Sequence, residues 1–280
     1  MIIDAHTHIF PDDIRHNRER YFDGEPAFRL LYDSPKSKMA GVEDLIAVMD
    51  ESKVDQAVTF GFPWENPDTA EYHNDYILTA QQAYPERLIG LGCMSMYSPY
   101  PAGEAERCLA AGLRGIGELA CYQAGLDSDA LQRLSPVMAL CRKYEAPVMI
   151  HTNEPVGHQY PGKTPNTTKQ IYDLAAAFPE NRIILAHWGG GVFFFNLLKK
   201  EAKSVFSNIW FDTAASPFLY DPDIYGIACR LIGSGKILFG TDYPLLPPQR
   251  YYSELAQAGL SREDRDAVLG HTATRLFAAD

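Results

Sequence analysis

The segment Asp4-Ala5-His6-Thr7-His8 places two metal-ligating side chains two residues apart, directly after the apolar residues Met1, Ile2 and Ile3. Side chains two apart on a β-strand point to the same face and lie about 6–7 Å from each other along it. His6 and His8 are therefore predicted to face a single metal ion, and Asp4 lies one step deeper on that face.

Three further apolar runs also end in a ligand-type side chain, at His151, at His187 and at Asp242. Pro244 follows Asp242 closely, and a proline prevents a central strand from continuing there. Taken singly, each histidine is as readily explained as a hydrogen-bonded core residue, and Asp242 as a turn cap. Together, these strand-end residues predict a metal site at one end of a parallel barrel.

Glu118 ends the candidate strand that begins at Leu113, and three roles for it stay open. It could bridge two metal ions about 3.5–4 Å apart. It could instead orient a ligating histidine from behind, or it could be a buried partner of an arginine. The number of ions depends on which role holds.

Three residues of the connecting loops are predicted to contact a substrate: Trp64, His158 and Lys163. Trp64 lies in the loop after the second candidate strand, and the other two lie in the loop that follows His151. The remaining histidines lie in loops or helical patterns, where surface or hydrogen-bonding roles are expected. They are His16, His73 and His271.

These residues need a scaffold, and the apolar pattern supplies one in which short strands alternate with helices. The predicted strands are Ile2–His6, Gln56–Phe60, Leu88–Cys93, Leu113–Glu118, Pro147–His151, Arg182–His187, Ile209–Asp212 and Ile237–Gly240. The predicted helices are Val42–Ser52, Ala70–Tyr84, Ala102–Ala111, Asp127–Tyr144, Thr167–Phe178, Val192–Lys203, Pro222–Ile232, Pro248–Ala258 and Arg262–Phe277, the last capped by Ser261.

Eight such units in 280 residues predict a single (β/α)₈ TIM barrel over residues 1–280. An open doubly wound sheet is the alternative, but no Gly-x-Gly-x-x-Gly follows the first strand. Three connections are longer than a barrel needs, and all follow strands on the rim where barrel enzymes have their active sites. These rim loops, 10–41, 61–69 and 152–166, are predicted to shape the pocket.

The composition excludes several classes of partner. A formal net charge of −11 argues against nucleic acid, which needs clustered lysine and arginine. No apolar run is long enough to span a membrane, and no secretory signal is visible at the amino terminus. The five cysteines show no Cys-x-x-Cys spacing, which suits a reducing cytoplasm. A small-molecule substrate is therefore expected, and the aromatic-rich rim loops are compatible with a homodimer.

The same residues resemble the amidohydrolase superfamily, and more narrowly its amidohydrolase-2 branch. That branch includes metal-dependent hydrolases of TIM-barrel fold and enzymes similar to aminocarboxymuconate-semialdehyde decarboxylase. The resemblance covers the barrel from the first strand to the end of the chain. It is carried by the opening Asp-x-His-x-His, by His151, by Ala186-His187-Trp188-Gly189-Gly190 and by Gly240-Thr241-Asp242-Tyr243-Pro244.

The resemblance implies that a divalent ion, commonly zinc, binds to His6, His8, His151 and Asp242. It also implies that Asp242 accepts a proton from metal-bound water and that His187 polarises the substrate. If two ions bind, His187 becomes a ligand instead. The chain departs from the relatives that carry a carboxylated lysine at the end of the fourth strand, because Glu118 stands there.

The leading expectation from the sequence is hydrolysis of a small amide, lactone or ester by metal-activated water, since a bound divalent ion brings the pKa of water near 7. The alternative is metal-dependent, non-oxidative decarboxylation of an aromatic or unsaturated carboxylate. A third possibility is a barrel that binds a metal or ligand without catalysis.

Overall fold

The computed structural model describes residues 1–198 and 200–278, and its strands are all parallel. Each strand is short and almost fully buried, as expected when helices cover a parallel sheet. The strands are β1 (Ile3–His8), β2 (Gln56–Phe60), β3 (Leu88–Gly90), β4 (Ile116–Leu119), β5 (Val148–Ile150), β6 (Ile183–Leu185), β7 (Ile209–Asp212) and β8 (Ile237–Leu238).

The strands form one sheet of order β1-β2-β3 and another of order β4-β5-β6-β7-β8, and the two sheets join at both edges. At one junction the Gly117 amide donates to the Gly92 carbonyl (2.8 Å), and Gly92 bridges to Ile116. At the other, the Asp242 amide donates to the His6 carbonyl (2.9 Å), beyond the end of β8. These hydrogen bonds close the ring, and the predicted TIM barrel is confirmed.

Helices cover the strands from outside, and most lie where the sequence predicts them. They are α1 (Asp12–His16), α2 (Pro26–Tyr32), α3 (Val42–Ser52), α4 (Pro67–Ala83), α5 (Pro101–Ala110), α6 (Ser128–Lys143), α7 (Thr168–Ala177), α8 (Lys200–Val205), α9 (Ser216–Leu219), α10 (Asp223–Ile232), α11 (Gln249–Gln257), α12 (Arg262–Asp266) and α13 (Thr272–Phe277). Tighter 3₁₀ turns span Arg18–Tyr21, His187–Leu197 and Ser234–Lys236, and a π turn spans Ala267–His271.

Several helices begin at a residue whose side chain accepts a hydrogen bond from the backbone three residues later. Asn66, Asp127 and Thr167 do so at the starts of α4, α6 and α7. Ser261 does so at α12, which confirms its predicted role as a cap. Such caps satisfy amides that the first turn leaves unpaired and fix where each helix starts.

The core has two parts, because alternate residues of a barrel strand point inward and outward. A large cluster fills the space between strands and helices. A smaller one gathers Met149, Ile184 and Leu238 with Leu276 and Phe277 of α13. Within the described residues, no helix is both long and apolar enough to cross a lipid bilayer.

The largest departure from the predicted elements lies after β6. The predicted helix Val192–Lys203 is wrong over its first part, because residues from Trp188 to Gly191 adopt left-handed backbone angles and lead into a 3₁₀ segment. At Gly190 a β-carbon would lie 2.3 Å from the Asn153 carbonyl oxygen, so only glycine fits. The helix starts at Lys200. Lys199 lies outside the described residues, as do positions 279–280 of the predicted domain.

Candidate metal centre

Three side chains meet at the carboxyl ends of β1 and β8, and their inward atoms form a triangle. The His6 Nε2 atom lies 3.3 Å from His8 Nε2 and 3.5 Å from Asp242 Oδ1. The third edge, from His8 Nε2 to Asp242 Oδ1, is 3.4 Å. Ligands about 2.1 Å from one tetrahedral ion lie about 3.4 Å from each other, so the triangle has the size of one face of a coordination sphere.

The inward nitrogens are fixed by what the other ring nitrogen contacts. His6 Nδ1 donates to Asp212 Oδ2 (2.9 Å), and His8 Nδ1 donates to the Gly61 carbonyl (3.3 Å). His187 Nδ1 donates to the Ala214 carbonyl (3.0 Å). In all three, Nε2 is the nitrogen turned toward the centre, which is how outer hydrogen bonds orient metal-binding histidines.

Asp212 is a site residue that the sequence reasoning missed. It ends β7 and is completely buried. One oxygen accepts from His6, and the other accepts from the backbone amides of His187 (2.9 Å) and Ala214 (3.0 Å). Asp212 therefore links the side chain on β1 to the backbone after β6. The signal was present, because Asp212 ends an apolar run in the same way as the residues chosen.

Glu118 presents one carboxylate oxygen to each half of the centre. Its Oε2 atom lies 3.7 Å from His6 Nε2 and 4.0 Å from His8 Nε2. Its Oε1 atom lies 3.0 Å from His151 Nδ1 and 3.6 Å from His187 Nε2. Two groups of compatible ligand atoms therefore share Glu118, one with the pair on β1 and one with His151 and His187.

His151 stands apart from the triangle. Its Nε2 donates to the carbonyl of Gly162 in the rim loop (3.0 Å), so Nδ1 is the nitrogen that faces Glu118. The sequence placed His151 among the ligands of the ion held by His6 and His8. The structure instead places it on the far side of Glu118, and its role as a ligand stays a prediction.

The carboxylates dominate the electrostatics of the centre. Burial lowers the pKa of His6, but Asp212, Glu118 and Asp242 outweigh it and raise the pKa to about 10. Burial likewise opposes charge on His187, but the nearby carboxylates of Glu118 and Asp242 outweigh it and raise its pKa to about 9. Burial raises the pKa of Glu118, but the neighbouring histidines outweigh it and hold that pKa well below its usual range.

No fixed cation balances these acids. Across residues 1–198 and 200–278, no lysine or arginine forms an ion pair with Glu118, Asp212 or Asp242. The positive charge around these acids comes from histidines alone. Buried carboxylates beside inward imidazole lone pairs are a donor set that suits a divalent cation. The residues therefore fit a metal ion, which would replace the protons of these histidines in balancing the charge of the carboxylates.

Two of the residues that were predicted to contact a substrate use their polar groups for hydrogen bonds within the protein. Trp64 is completely buried, and its indole N–H donates to His73 Nδ1 (2.9 Å), so it offers no atom to a ligand. Lys163 Nζ donates to Glu154 Oε1 (2.8 Å) and to the Val156 carbonyl (2.6 Å), which folds the rim loop. His158 is exposed in that loop, and its contact with a substrate stays a prediction.

Two tyrosines that the sequence did not single out lie beside the centre. The ring of Tyr122 stacks on the ring of His151, with centroids 6.1 Å apart. Tyr32 packs edge-on against Phe10, with centroids 5.3 Å apart. After burial, the charges of Asp242 and Glu118 are the main causes that raise the pKa of Tyr32, so its hydroxyl lies within the field of the centre. Tyr122 lies in a turn after β4, and Tyr32 is the last residue of α2 in the first rim loop, so neither belongs to the apolar runs from which the site was predicted.

Comparison with known proteins shows the family. The sequence model of the amidohydrolase family matches residues 3–279. The chain is 26% identical over 339 residues to the 2-amino-3-carboxymuconate-6-semialdehyde decarboxylase of Dictyostelium discoideum, covering 99% of this chain and 92% of that protein.

Solved structures of low sequence identity share the fold. The 5-carboxyvanillate decarboxylase of Sphingomonas paucimobilis superposes with a TM-score of 0.77 at 18% identity, covering 99% of this chain and 98% of that one. A dihydroxybenzoic acid decarboxylase from a Polaromonas species, with bound manganese and the inhibitor 2-nitroresorcinol, gives 0.71 at 17% identity, covering 99% and 96%.

The expected hydrolysis of an amide, lactone or ester is corrected by these comparisons, because the relative and the two solved structures described above are all decarboxylases. The sequence motifs could not separate the two chemistries, since both use the same strand-end ligands. With its barrel, its strand-end histidines and a match over almost its whole length, the chain belongs to the amidohydrolase family.

Proposed function

We propose that this amidohydrolase is a metal-dependent, non-oxidative decarboxylase of a small aromatic or unsaturated carboxylic acid. The observation that carries the metal dependence is the triangle of His6, His8 and Asp242, with edges of 3.3–3.5 Å. The decarboxylase relatives support the reaction. The five cysteines are all free, which fits a reducing compartment such as the cytoplasm.

The triangle would hold the ion, and Glu118 Oε2 is a further donor close to both histidines of β1, at 3.7 and 4.0 Å. A divalent ion bound there supplies positive charge that attracts the substrate carboxylate and a neighbouring oxygen. Histidine and carboxylate donors accept zinc and manganese alike, and availability decides between them. We therefore propose one divalent ion per chain without fixing the element.

His187 is the residue we assign to proton transfer. Its Nδ1 is committed to the Ala214 carbonyl, so Nε2 is the atom turned toward the pocket. In the proposed reaction, His187 gives a proton to the carbon that bears the carboxylate, and a C–H bond forms. The C–C bond to the carboxylate then breaks, its electron pair returns to the unsaturated system, and CO₂ leaves. Water restores the proton to His187.

The direct test measures CO₂ release by the manganese-loaded and the zinc-loaded protein. The acids offered are 2,6-dihydroxybenzoate, 5-carboxyvanillate and 2-amino-3-carboxymuconate 6-semialdehyde. In D₂O the product is expected to carry one deuterium at the carbon that lost the carboxylate. Absence of CO₂ from every acid, with metal bound, would contradict the proposal. Water-derived ¹⁸O in an organic product would indicate hydrolysis instead.

A further inference from the structure

The hydroxyls of Tyr32 and Tyr122 have no assigned role, although Tyr122 packs on His151 and Tyr32 packs on Phe10, two residues beyond His8. Neither hydroxyl has a hydrogen-bond partner in the described part of the chain, and neither is sealed from solvent, in contrast to the enclosed hydroxyl of Tyr225. Both rings are held firmly, Tyr122 by stacking on His151 and Tyr32 by Phe10 and by Phe28, at 4.9 Å between centroids.

The two phenols share the electrostatic environment of the centre. Burial raises the pKa of Tyr122, and the next causes are the charge of Glu118 and the neighbouring Tyr32. Tyr32 responds in turn to Asp242 and Glu118. Each hydroxyl is therefore a neutral donor near buried carboxylates, with an unused proton. A phenol held in this way donates to an oxygen atom of a bound ligand at little cost in side-chain entropy.

Four cations of the rim loops already lie near partners within the protein, so they leave the charge of a substrate to the metal and to neutral donors. Lys163 is held by its own loop. The Nη1 atom of Arg18 lies within hydrogen-bond distance of three carbonyl oxygens, at the end of α2 and just after it. Arg15 pairs with Asp44 at 2.8 Å, and Arg29 is exposed, 3.9 Å from Asp33.

We propose that Tyr32 and Tyr122 donate hydrogen bonds to oxygen atoms of the acid bound at the metal centre, and that the site accepts an acid with one ionised carboxylate. This inference rests on the proposed function for the position of the acid. A second carboxylate would enter a pocket that already contains Glu118 and Asp242, and neither of these acids pairs with a lysine or arginine of the described residues. Like charges brought together in this way cost several kcal/mol.

The first test measures binding rather than turnover. Manganese-loaded wild-type protein and the variants Tyr32→Phe and Tyr122→Phe are titrated with 2,6-dihydroxybenzoate by calorimetry. Each variant is expected to bind about 2- to 10-fold more weakly, which is what one neutral hydrogen bond is worth. Tyr144→Phe, a partly exposed tyrosine at the end of α6, is the matched control and should not change the Kd. The manganese content should be equal in all four proteins.

The second test needs no variant and therefore holds even if a substitution impairs folding. Wild-type protein is expected to bind 2,6-dihydroxybenzoate at least about 10-fold more tightly than 5-carboxyvanillate, which carries two carboxylates. Equal or tighter binding of the dicarboxylate would overturn the inference. So would unchanged affinity in both phenylalanine variants, or a manganese-loaded wild type that does not bind 2,6-dihydroxybenzoate.

The two proposals fail in different ways. If 2,6-dihydroxybenzoate binds, if both variants weaken that binding, and if no acid releases CO₂, the tyrosine contacts stand and the decarboxylase proposal falls. If CO₂ is released and the variants leave both Kd and kcat/KM unchanged, the reaction stands and the tyrosine contacts fall.

Discussion

Two buried histidines, one at the end of β1 and one on α4, show what distinguishes a candidate site from the core. His6 and His73 are both almost completely inaccessible and both have partners at each ring nitrogen. His6 faces three carboxylates, which raise its pKa to about 10 against the effect of burial. His73 accepts from Trp64 and donates to the Ile9 carbonyl, and burial lowers its pKa to about 4.

The comparison teaches that burial of a histidine is not by itself a sign of function. Both ring nitrogens of His73 have a neutral hydrogen-bond partner, so His73 needs no ion to satisfy them. Around His6 the carboxylates of Asp212, Glu118 and Asp242 have no fixed cation as partner among the described residues. Carboxylates that only titratable histidines balance, held in place by strand ends and hydrogen bonds, are what a bound cation would neutralise.

The largest expected effect on metal binding comes from removing one of the three ligands of the triangle formed by His6, His8 and Asp242. His8→Ala should abolish metal retention and CO₂ release, because the affinity for metal should fall by more than the roughly 100-fold that loss of an outer partner costs. Metal analysis after dialysis measures the effect. His73→Gln is the matched control, since it keeps a donor and an acceptor in the core, and it should retain its metal. If His8→Ala retained its metal, the triangle would not be the metal site, and the contrast between the surroundings of His6 and of His73 would no longer indicate function.

The next effect separates the proton donor from the ligands. His187→Gln should lower kcat about 10²- to 10⁴-fold, which is the usual contribution of a positioned acid or base. Its metal content should stay at the wild-type value, because His187 does not belong to the triangle. Loss of metal in parallel with activity would make His187 a ligand and favour two ions bridged by Glu118.

A smaller effect tests the outer partner of His6. Asp212→Asn should weaken metal binding about 10- to 100-fold, since it removes the carboxylate that orients the ring and strengthens it as a donor. The affinity is measured by competition with a chelator. Asp23→Asn, an exposed acid in the first rim loop, is the control. Equal affinities in the two variants would show that Asp212 only supports the backbone after β6.

The smallest effect concerns His73 and pH. Its pKa falls from 6.5 unfolded to about 4 folded, so the unfolded chain binds more protons between these values and stability falls as the pH drops below 6.5. At pH 5 the loss should be about 2 kcal/mol. Urea unfolding of wild type and His73→Gln at pH 5 and pH 7 measures it. Both proteins lose stability through other groups, and the variant should lose about 2 kcal/mol less.

Strand ends and their ligands were predictable, and the conformations of the rim were not. Buried apolar runs with period-two side chains located β1 and β8, and parallel strands necessarily bring their carboxyl ends together. The convergence of His6, His8 and Asp242 follows from that geometry. The backbone after His187 could not be predicted, because left-handed angles at Trp188 break a helical pattern that the apolar residues otherwise fit.

The hydrogen-bond partners of polar side chains also could not be predicted from the sequence. Lys163 looked available to a substrate, but acceptors in its own loop take up its ammonium group. Trp64 looked like a pocket residue, but its indole is satisfied by His73 in the core. Such choices depend on loop conformations that bring distant acceptors together, and neither composition nor periodicity encodes them. Helices α1 and α2 in the loop 10–41 escaped prediction for the same reason.

The most direct test of the account is a titration of metal-free protein with manganese, followed by electron paramagnetic resonance and by CO₂ release in parallel. The triangle of His6, His8 and Asp242 predicts that CO₂ release rises linearly up to one ion per chain and then stays constant, and that the six-line spectrum of free manganese grows only beyond that point. A plateau at two ions per chain, or full activity before any manganese is added, would contradict it.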